Sequence, residues 1–252
     1  MLHALGGKAA LSHYSAARWW GGTVPHHSDI HVITTGKYRI RRIGVISHRT
    51  QRKIRRTVVR GLAVTTAEQT FLDLAGSLDL VDLIVLGDSL IKQQATSTVK
   101  LRAAASEWTG AGAAIARQAA GLVRAGVSSP MESRLRLLIV LAGLPEPMVD
   151  HRVYSDHGKL LYRLDLAYPD CKLGVEYDGR QHAESDAQWA HDLQRREYFD
   201  SAGWRLVVVN GRQFFADPAV VVDRIIAAAR AQGLAMPKPN NRWRRYFSIT
   251  SR

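Results

Sequence analysis

Two acidic residues interrupt apolar segments in the second half of the chain, and their type and setting suit a divalent cation. Asp165 lies within YRLDLAY, and Glu176 lies within KLGVEY. A carboxylate inside a strand is costly unless it is paired or binds a metal ion. Carboxylate oxygens suit Mg²⁺ (or Mn²⁺), which can activate water and stabilise charge that builds on phosphorus. The alternative is a pair of structural salt bridges, with Arg163 and Arg205 as partners.

Further polar residues follow these acids, and three of them are candidates for catalysis. Asp178 shares a strand face with Glu176, because side chains alternate along a strand. His182 could act as a general base or, when protonated, assist a leaving oxygen. Arg195 lies on a predicted helix and could hold a phosphate through two hydrogen bonds. The alternatives are structural: a turn cap at Gly179, an ordinary loop position, and ion pairs of the arginine with Asp192, Glu197 or Asp200.

Alternating strand and helix patterns predict the elements that would position these side chains. A tight turn at Pro169-Asp170 would join two strands and carry both acids to one end of a sheet. Ser129 and Pro130 suit the N-cap and first position of a preceding helix. The predicted order is αβββαβα, which is typical of an α/β sheet domain. The predicted spans are a helix over 130–142, strands over 148–154, 162–168 and 172–177, a helix over 186–202, a strand over 204–209 and a helix over 217–230.

The first half of the chain predicts a smaller mixed α/β module. Thr66 and Gln69 form a capping box that opens one of its helices. The basic run over 49–60 fits either a solvated face or a phosphate contact. The predicted elements are a helix over 9–20, strands over 31–35 and 38–47, the capped helix, and helices over 80–92, 98–108 and 113–125.

The early histidines do not predict a metal site. No two of them lie on one predicted helix at the spacing that presents two ligands on one face, so we interpret them as surface residues. The set comprises His3, His13, His26, His27 and His31.

Composition favours a nucleic acid as the partner. The chain has 252 residues, with 35 Lys and Arg against 22 Asp and Glu, and a formal net charge of +13. Such an excess favours a polyanion, although a generally basic surface would give the same count. Cys171 is the sole cysteine, which excludes an internal disulfide and a cysteine-based zinc site and fits the cytoplasm. No signal peptide or apolar run long enough to span a membrane is predicted.

Several motifs in order resemble the DUF559 family, a relative of the very-short-patch-repair (Vsr-like) endonucleases in the PD-(D/E)XK superfamily. The motifs are SPMESRLR from Ser129, RLDLA from Arg163, VEYDG from Val175, then His182, the stretch from Asp192 to Arg196, and GWRLV from Gly203. The resemblance covers residues 129–231. It implies an αβββαβ core and a divalent metal ion.

Residue by residue, the resemblance assigns Asp165 and Glu176 as metal ligands and Glu132 as the helix-borne acid that completes the site. Glu132 is equally suited to a capping box with Ser129. The superfamily lysine would stand at Asp178, so this chain departs from the usual motif. The Vsr-like branch shares that departure and uses a downstream histidine, here His182.

The first half resembles AbiEi-like antitoxin proteins of actinobacteria. The motifs are SHYSAARWWG from Ser12, GLAVTT from Gly61 and TFLDLA from Thr70. The predicted organisation is therefore an AbiEi-like module over 1–125, a nuclease-like domain over 129–231, and a basic, disordered tail over 237–252.

These resemblances imply an Mg²⁺-dependent endonuclease that hydrolyses DNA phosphodiester bonds, in DNA repair or phage defence. The alternative is a DNA-binding, antitoxin-like transcriptional regulator that keeps a degenerate nuclease fold. A toxin–antitoxin protein partner is the further partner that the first half implies.

Overall fold

The computed structural model describes residues 9–36, 40–179 and 186–247, with side chains for all of these except 186–191. The chain divides into two compact units, Met1–Ala125 and Gly126–Arg252. No helix in the described ranges is long and apolar enough to cross a lipid bilayer.

The first unit contains a five-stranded mixed sheet in the order β3-β2-β1-β5-β4. Strands β1 and β2 are antiparallel, as are β4 and β5, whereas β2 pairs with β3 and β1 pairs with β5 in parallel. The strands are β1 (Ala9–Leu11), β2 (Ile30–Thr35), β3 (Val45–Thr50), β4 (Arg56–Val59) and β5 (Leu62–Thr65).

Five helices accompany this sheet in the described part of the first unit. Side-chain caps explain where three of them begin: Thr66, Asp79 and Ser97 each accept a hydrogen bond from a backbone N–H three residues on. The helices are α1 (His13–Trp19), α2 (Ala67–Leu74), α3 (Leu80–Lys92), α4 (Thr98–Glu107) and α5 (Ala113–Leu122).

The helix predicted over 9–20 is wrong at its start. Residues Ala9–Leu11 are fully buried and form β1, which pairs with both β2 and β5. Alanine and leucine favour helix locally, and the tertiary pairing overrides that propensity. The helix begins only at His13, whose φ is 48°.

Two other predictions for the first unit need correction. The strand predicted over 38–47 begins instead at Val45, and residues 37–39 lie outside the described part of the chain. The basic run over 49–60 contains the unpredicted strand β4, in which Thr57, Val58 and Val59 are β-branched. Such residues favour strands, and here they pair with β5.

The second unit has the predicted αβββαβ order, followed by two more helices, and the α/β class is confirmed. Ser129 Oγ caps the first helix, and Pro130 occupies its first turn. The elements are α6 (Pro130–Leu141), β6 (Met148–Tyr154), β7 (Leu160–Tyr168), β8 (Leu173–Asp178), α7 (Asp186–Ser201), β9 (Arg205–Asn210), α8 (Gly211–Ala216) and α9 (Pro218–Ala231).

The sheet of the second unit runs in the order β6-β7-β8-β9. The first two pairings are antiparallel and the last is parallel. A 3-10 turn over Pro169–Cys171 joins β7 to β8, close to the predicted turn. Leu164, Ala167 and Phe199 form a buried cluster that packs α7 on the sheet.

The tail differs from its prediction. Residues 237–247 are not disordered, because the side chains of Trp243 and Phe247 are buried. The Asn240 N–H also donates to the carbonyl of Ala142, at the end of α6, at 2.8 Å. Burial of two aromatic rings offsets the entropy lost by ordering this segment. Residues 248–252 lie outside the described part of the chain.

Candidate active site

The register of β7 against β8 sets the two predicted acids side by side. Leu166 lies opposite Val175 in this antiparallel pair, so the same register carries Asp165 opposite Glu176. Directly opposed residues of an antiparallel pair point to one face of the sheet. Strand β8 is buried over 173–175 and partly exposed over 176–178, so the acids lie where the core gives way to solvent.

Asp165 occupies an environment that opposes its ionisation. Burial is the main cause, and it raises the pKa of Asp165 from 3.8 to about 6. The Tyr177 N–H, which donates to Asp165 Oδ2 at 3.0 Å, works against that rise. Nearby Glu132 and Glu176 raise this pKa further, and Arg195 lowers it. An acidic cluster that repels its own charge favours the arrival of a cation.

Glu132 holds the cap position that its place in the sequence predicts. Its N–H donates to Ser129 Oγ at 3.1 Å, and its own Oε2 accepts the Ser128 N–H at 2.8 Å. The side chain is buried, and its negative charge is one of the lesser causes that raise the pKa of Asp165. The capping contacts are therefore observed, and the metal role of Glu132 stays a prediction.

Arg195 forms a two-pronged ion pair with Glu176. One guanidinium nitrogen donates to Glu176 Oε2 at 3.0 Å, and the other donates to Oε1. The guanidinium also lies over the ring of Phe199, at 5.1 Å from its centroid. The structural alternative for Arg195 is an ion pair within its own helix. The structure shows an ion pair across the site, between Arg195 on α7 and Glu176 on β8. The arginine therefore lies directly beside the acids.

A groove of about 590 Å³ opens over these residues. Carboxylates and arginines share its wall, so the groove can hold both a cation and an anionic chain. Beside Asp165, Glu176 and Arg195, its charged lining comprises Asp178, Asp192, Arg196, Asp200, Arg205 and Arg224.

The alternative role of the acids is to form structural salt bridges with Arg163 and Arg205, and one of these two arginines is paired elsewhere. Arg163 pairs with Asp150 on β6 at 2.6 Å and is exposed. Arg205 lines the groove with the acids. His182 lies outside the described residues, so its predicted catalytic role stays a prediction.

The first unit contains a cluster of histidines that was not predicted from the sequence. His31 is not a surface residue, because its exposed fraction is 4%. His13 and His48 lie beside it, and one ligand atom from each of the three residues lies within 4.8 Å of the others. The cluster depends on the parallel pairing of β2 with β3, and no local spacing in the sequence reports such a pairing.

A known family model matches the part of the chain that forms the groove. Residues 149–229 match the family model REase_MTES_1575, a restriction-endonuclease-like family. The second unit is nuclease-like. The matched span contains Asp165, Glu176, Asp178 and Arg195, so the nuclease-like match covers the strands and helix that line the groove.

Two relatives match most of the chain. The chain is 25% identical over 223 residues to the uncharacterized protein Rv2248 of Mycobacterium tuberculosis strain H37Rv, covering 88% of this chain and 81% of the relative. The uncharacterized protein MT2308 of strain CDC 1551 / Oshkosh matches to the same extent. No solved structure matches the chain significantly. The nuclease-like match does not test the more specific resemblances to the DUF559 and AbiEi-like families, which stay predictions.

Proposed function

We propose that the nuclease-like unit hydrolyses DNA phosphodiester bonds with the help of a divalent cation, Mg²⁺ or Mn²⁺. One observation carries this proposal: Asp165 and Glu176 converge on a groove whose wall also bears arginines. The role in DNA repair or phage defence is the one that the Vsr-like resemblance implies.

The residues of the groove fit a hard divalent cation. Asp165 and Glu176 offer carboxylate oxygens, the ligands that Mg²⁺ prefers, and the charge of Glu132 adds to their field. The Tyr177 N–H engages one oxygen of Asp165, which fixes the carboxylate and leaves the other oxygen for a ligand. A bound cation would lower the pKa of a coordinated water and neutralise charge on the scissile phosphate.

The second requirement is binding of the DNA phosphate backbone, which arginines can supply. Arg196, Arg205 and Arg224 line the same groove as the acids. Guanidinium groups bind phosphate oxygens through paired hydrogen bonds, and they hold the backbone without reading sequence. The formal net charge of +13 favours DNA over an uncharged substrate.

Arg195 and Asp178 act at the reacting centre in this proposal. Glu176 would help to hold the cation, and the guanidinium of Arg195, which pairs with Glu176 in the structure, would hold the scissile phosphate. Asp178 lies on the strand face of Glu176 and can accept a hydrogen bond from the attacking water, which orients it. Proton transfer by His182 is the corresponding expectation from the sequence.

Cleavage assays on full-length protein test the proposal. Supercoiled plasmid, linear duplex and single-stranded DNA are each incubated with Mg²⁺, Mn²⁺ or EDTA. We expect metal-dependent cutting that falls on the order of 1000-fold in Asp165→Asn and in Glu176→Gln, because several kcal/mol of transition-state stabilisation are lost. Asp170→Asn, which changes an exposed acid on the same hairpin, is the matched control. Cutting that persists in EDTA or in both site variants contradicts the proposal.

A DNA-binding regulator without catalysis is the second candidate. An acid at the place of the superfamily lysine and the engagement of Glu176 by Arg195 both favour it. Such a protein would shift duplex DNA equally well in EDTA and in Mg²⁺, with an affinity that falls steeply as salt rises. Binding without cutting in every metal condition would select this candidate over the nuclease.

A further inference from the structure

Three histidines from three different elements meet in the first unit. His13 begins α1, His31 lies in β2, and His48 lies in β3. The His31 Nδ1 and His48 Nε2 atoms are 2.9 Å apart, and the rings of His13 and His48 stack with centroids at 3.5 Å. Three imidazoles in mutual contact form a nitrogen-rich set of the kind that zinc, copper and nickel ions prefer.

A fourth histidine fixes the tautomer of the central one. The Asp29 N–H donates to His27 Nδ1 at 3.4 Å, so that nitrogen is an acceptor. His31 Nε2 lies 3.1 Å from the same atom and must therefore carry the hydrogen. His31 Nδ1 then accepts a hydrogen bond from the Nε2–H of His48, and a metal ion would take the place of that hydrogen. Metal-binding histidines are commonly oriented in this way by a hydrogen bond to their other nitrogen.

The cluster also keeps its imidazoles neutral, as metal ligation requires. Burial, reinforced by neighbouring histidines, lowers the pKa of His13 to about 3 and that of His31 to about 4. Burial lowers the pKa of His48 as well. A neutral ring carries one N–H and one lone pair, so each of the three rings has one nitrogen that can bind a metal ion.

His13 reaches the cluster from a backbone conformation that non-glycine residues rarely adopt. Its φ of 48° is in the left-handed region, which is sterically unfavourable for a residue with a Cβ atom. Strain of this kind persists where the surroundings hold a side chain in a required place. Ser12 Oγ lies 3.0 Å from His13 Nδ1 and fixes one edge of the ring.

We propose that His13, His31 and His48 bind a transition metal ion, zinc foremost, in a site separate from the carboxylate groove. Ligand nitrogens around tetrahedral zinc stand about 3.4 Å apart, given Zn–N bonds of about 2.1 Å. The 2.9 Å separation of His31 Nδ1 and His48 Nε2 therefore has to open by about half an ångström. The stacked rings of His13 and His48 must rotate so that their lone pairs converge.

The fourth position of this site faces a groove. His13 and His48 line a groove of about 540 Å³, together with Arg49, Arg52 and Arg55. Three protein ligands with one open position are the arrangement of zinc sites that exchange a water or substrate. Lys53 also lines this groove, and Asp73 and Glu107, which pairs with Arg55, offset part of the positive charge. The lining stays net positive, so an anion is the ligand that the open position would take.

Cobalt titration of full-length protein, freed of metal with a chelator, tests the site. Co²⁺ absorbs strongly in a tetrahedral nitrogen-rich site and weakly in an octahedral oxygen-rich one, so the spectrum separates this site from the carboxylate groove. We expect one equivalent of strongly absorbing Co²⁺ that Zn²⁺ displaces and millimolar Mg²⁺ does not. Asp165→Asn, which disrupts the carboxylate groove, should leave the spectrum unchanged.

Variants assign the ligands. Replacement of a ligand, in His13→Gln or His48→Gln, should weaken Co²⁺ binding about 100-fold, and His27→Ala about tenfold, because loss of an orienting partner has that effect. His26→Ala, an exposed neighbour of His27, is the matched control. Circular dichroism checks that each variant is folded. If His13→Gln does not fold, the result for His48→Gln decides the test. Absence of the strong spectrum in the wild type, or its persistence in both glutamine variants, overturns the proposal.

Discussion

The two clusters differ in how they keep ligand groups together. In the nuclease-like unit, acids gather on one sheet face, and their mutual repulsion and burial raise the pKa of Asp165 to about 6. In the first unit, histidines gather, and burial lowers the pKa of His31 to about 4. At neutral pH the first arrangement holds charge at a cost in folding free energy, and the second avoids charge altogether. The acids suit a hard cation, and the imidazoles suit a softer one.

The supports of the two clusters differ as well. His31 and His48 lie on adjacent strands of a parallel ladder, so the backbone itself fixes them. Arg195 instead lies on α7, which contacts the sheet through side-chain packing around Phe199. The contrast predicts that the position of Arg195 depends on core packing more strongly than the histidine cluster does.

The largest effect is expected from removing that support. Phe199→Ala should destabilise the nuclease-like unit by about 3–5 kcal/mol, because a fully buried ring is replaced by a cavity. Chemical denaturation followed by tryptophan fluorescence, with Trp204 beside the ring at 6.0 Å between centroids, measures the change. The Co²⁺ spectrum of the histidine cluster should survive under native conditions.

Phe215→Ala is the matched control, because Phe215 is 61% exposed in the same unit. It should change the free energy of unfolding by less than about 0.5 kcal/mol, as is usual for surface substitutions. Equal destabilisation by both variants would mean that Phe199 is not what holds α7 on the sheet.

A smaller effect should appear when the charge of Asp165 is removed. Its folded-state pKa of about 6 exceeds its ordinary value of 3.8, so the folded protein binds the extra proton between those values. Stability should therefore fall as pH rises from about 4 to 6. Asp165→Asn, which keeps an oxygen for the Tyr177 N–H, should stabilise the protein by about 1–3 kcal/mol above pH 6 and by little at pH 4.

Thermal unfolding in EDTA at a series of pH values measures this difference, with Asp170→Asn as the control. Added Mg²⁺ should raise the unfolding temperature of the wild type above pH 6 and have little effect on Asp165→Asn, because a ligand stabilises the state that binds it. A variant that is destabilised at every pH would show that Asp165 is a structural residue.

The proximity of the two acids could be predicted from the sequence, and the proximity of the histidines could not, for one physical reason. Asp165 and Glu176 lie on strands joined by a short turn, so local alternation and a tight turn are enough to pair them. His31 and His48 meet only because β2 and β3 pair in parallel across an intervening segment. Local patterns do not encode such pairings.

Local signals succeeded where they agreed with packing. The helix over Leu80–Lys92 and the strand over Met148–Tyr154 begin and end where the sequence predicts. The prediction failed at Ala9–Leu11, where helix-forming residues are recruited into a sheet. It also failed at α8, which is short and begins with Gly211, a residue that disfavours helix interiors.

The smallest expected effect concerns Arg195, the positively charged side chain that pairs with the acid cluster. Arg195 pairs with Glu176, so Arg195→Gln should free that carboxylate and raise Mg²⁺ affinity about fivefold, equivalent to about 1 kcal/mol. Isothermal titration with Mg²⁺ measures the affinity, and Arg196→Gln removes the same charge one residue on. Cleavage should fall in Arg195→Gln although the metal binds more tightly, because the phosphate loses its paired donor. Reduced cleavage with unchanged Mg²⁺ affinity would mean that the arginine serves the phosphate alone.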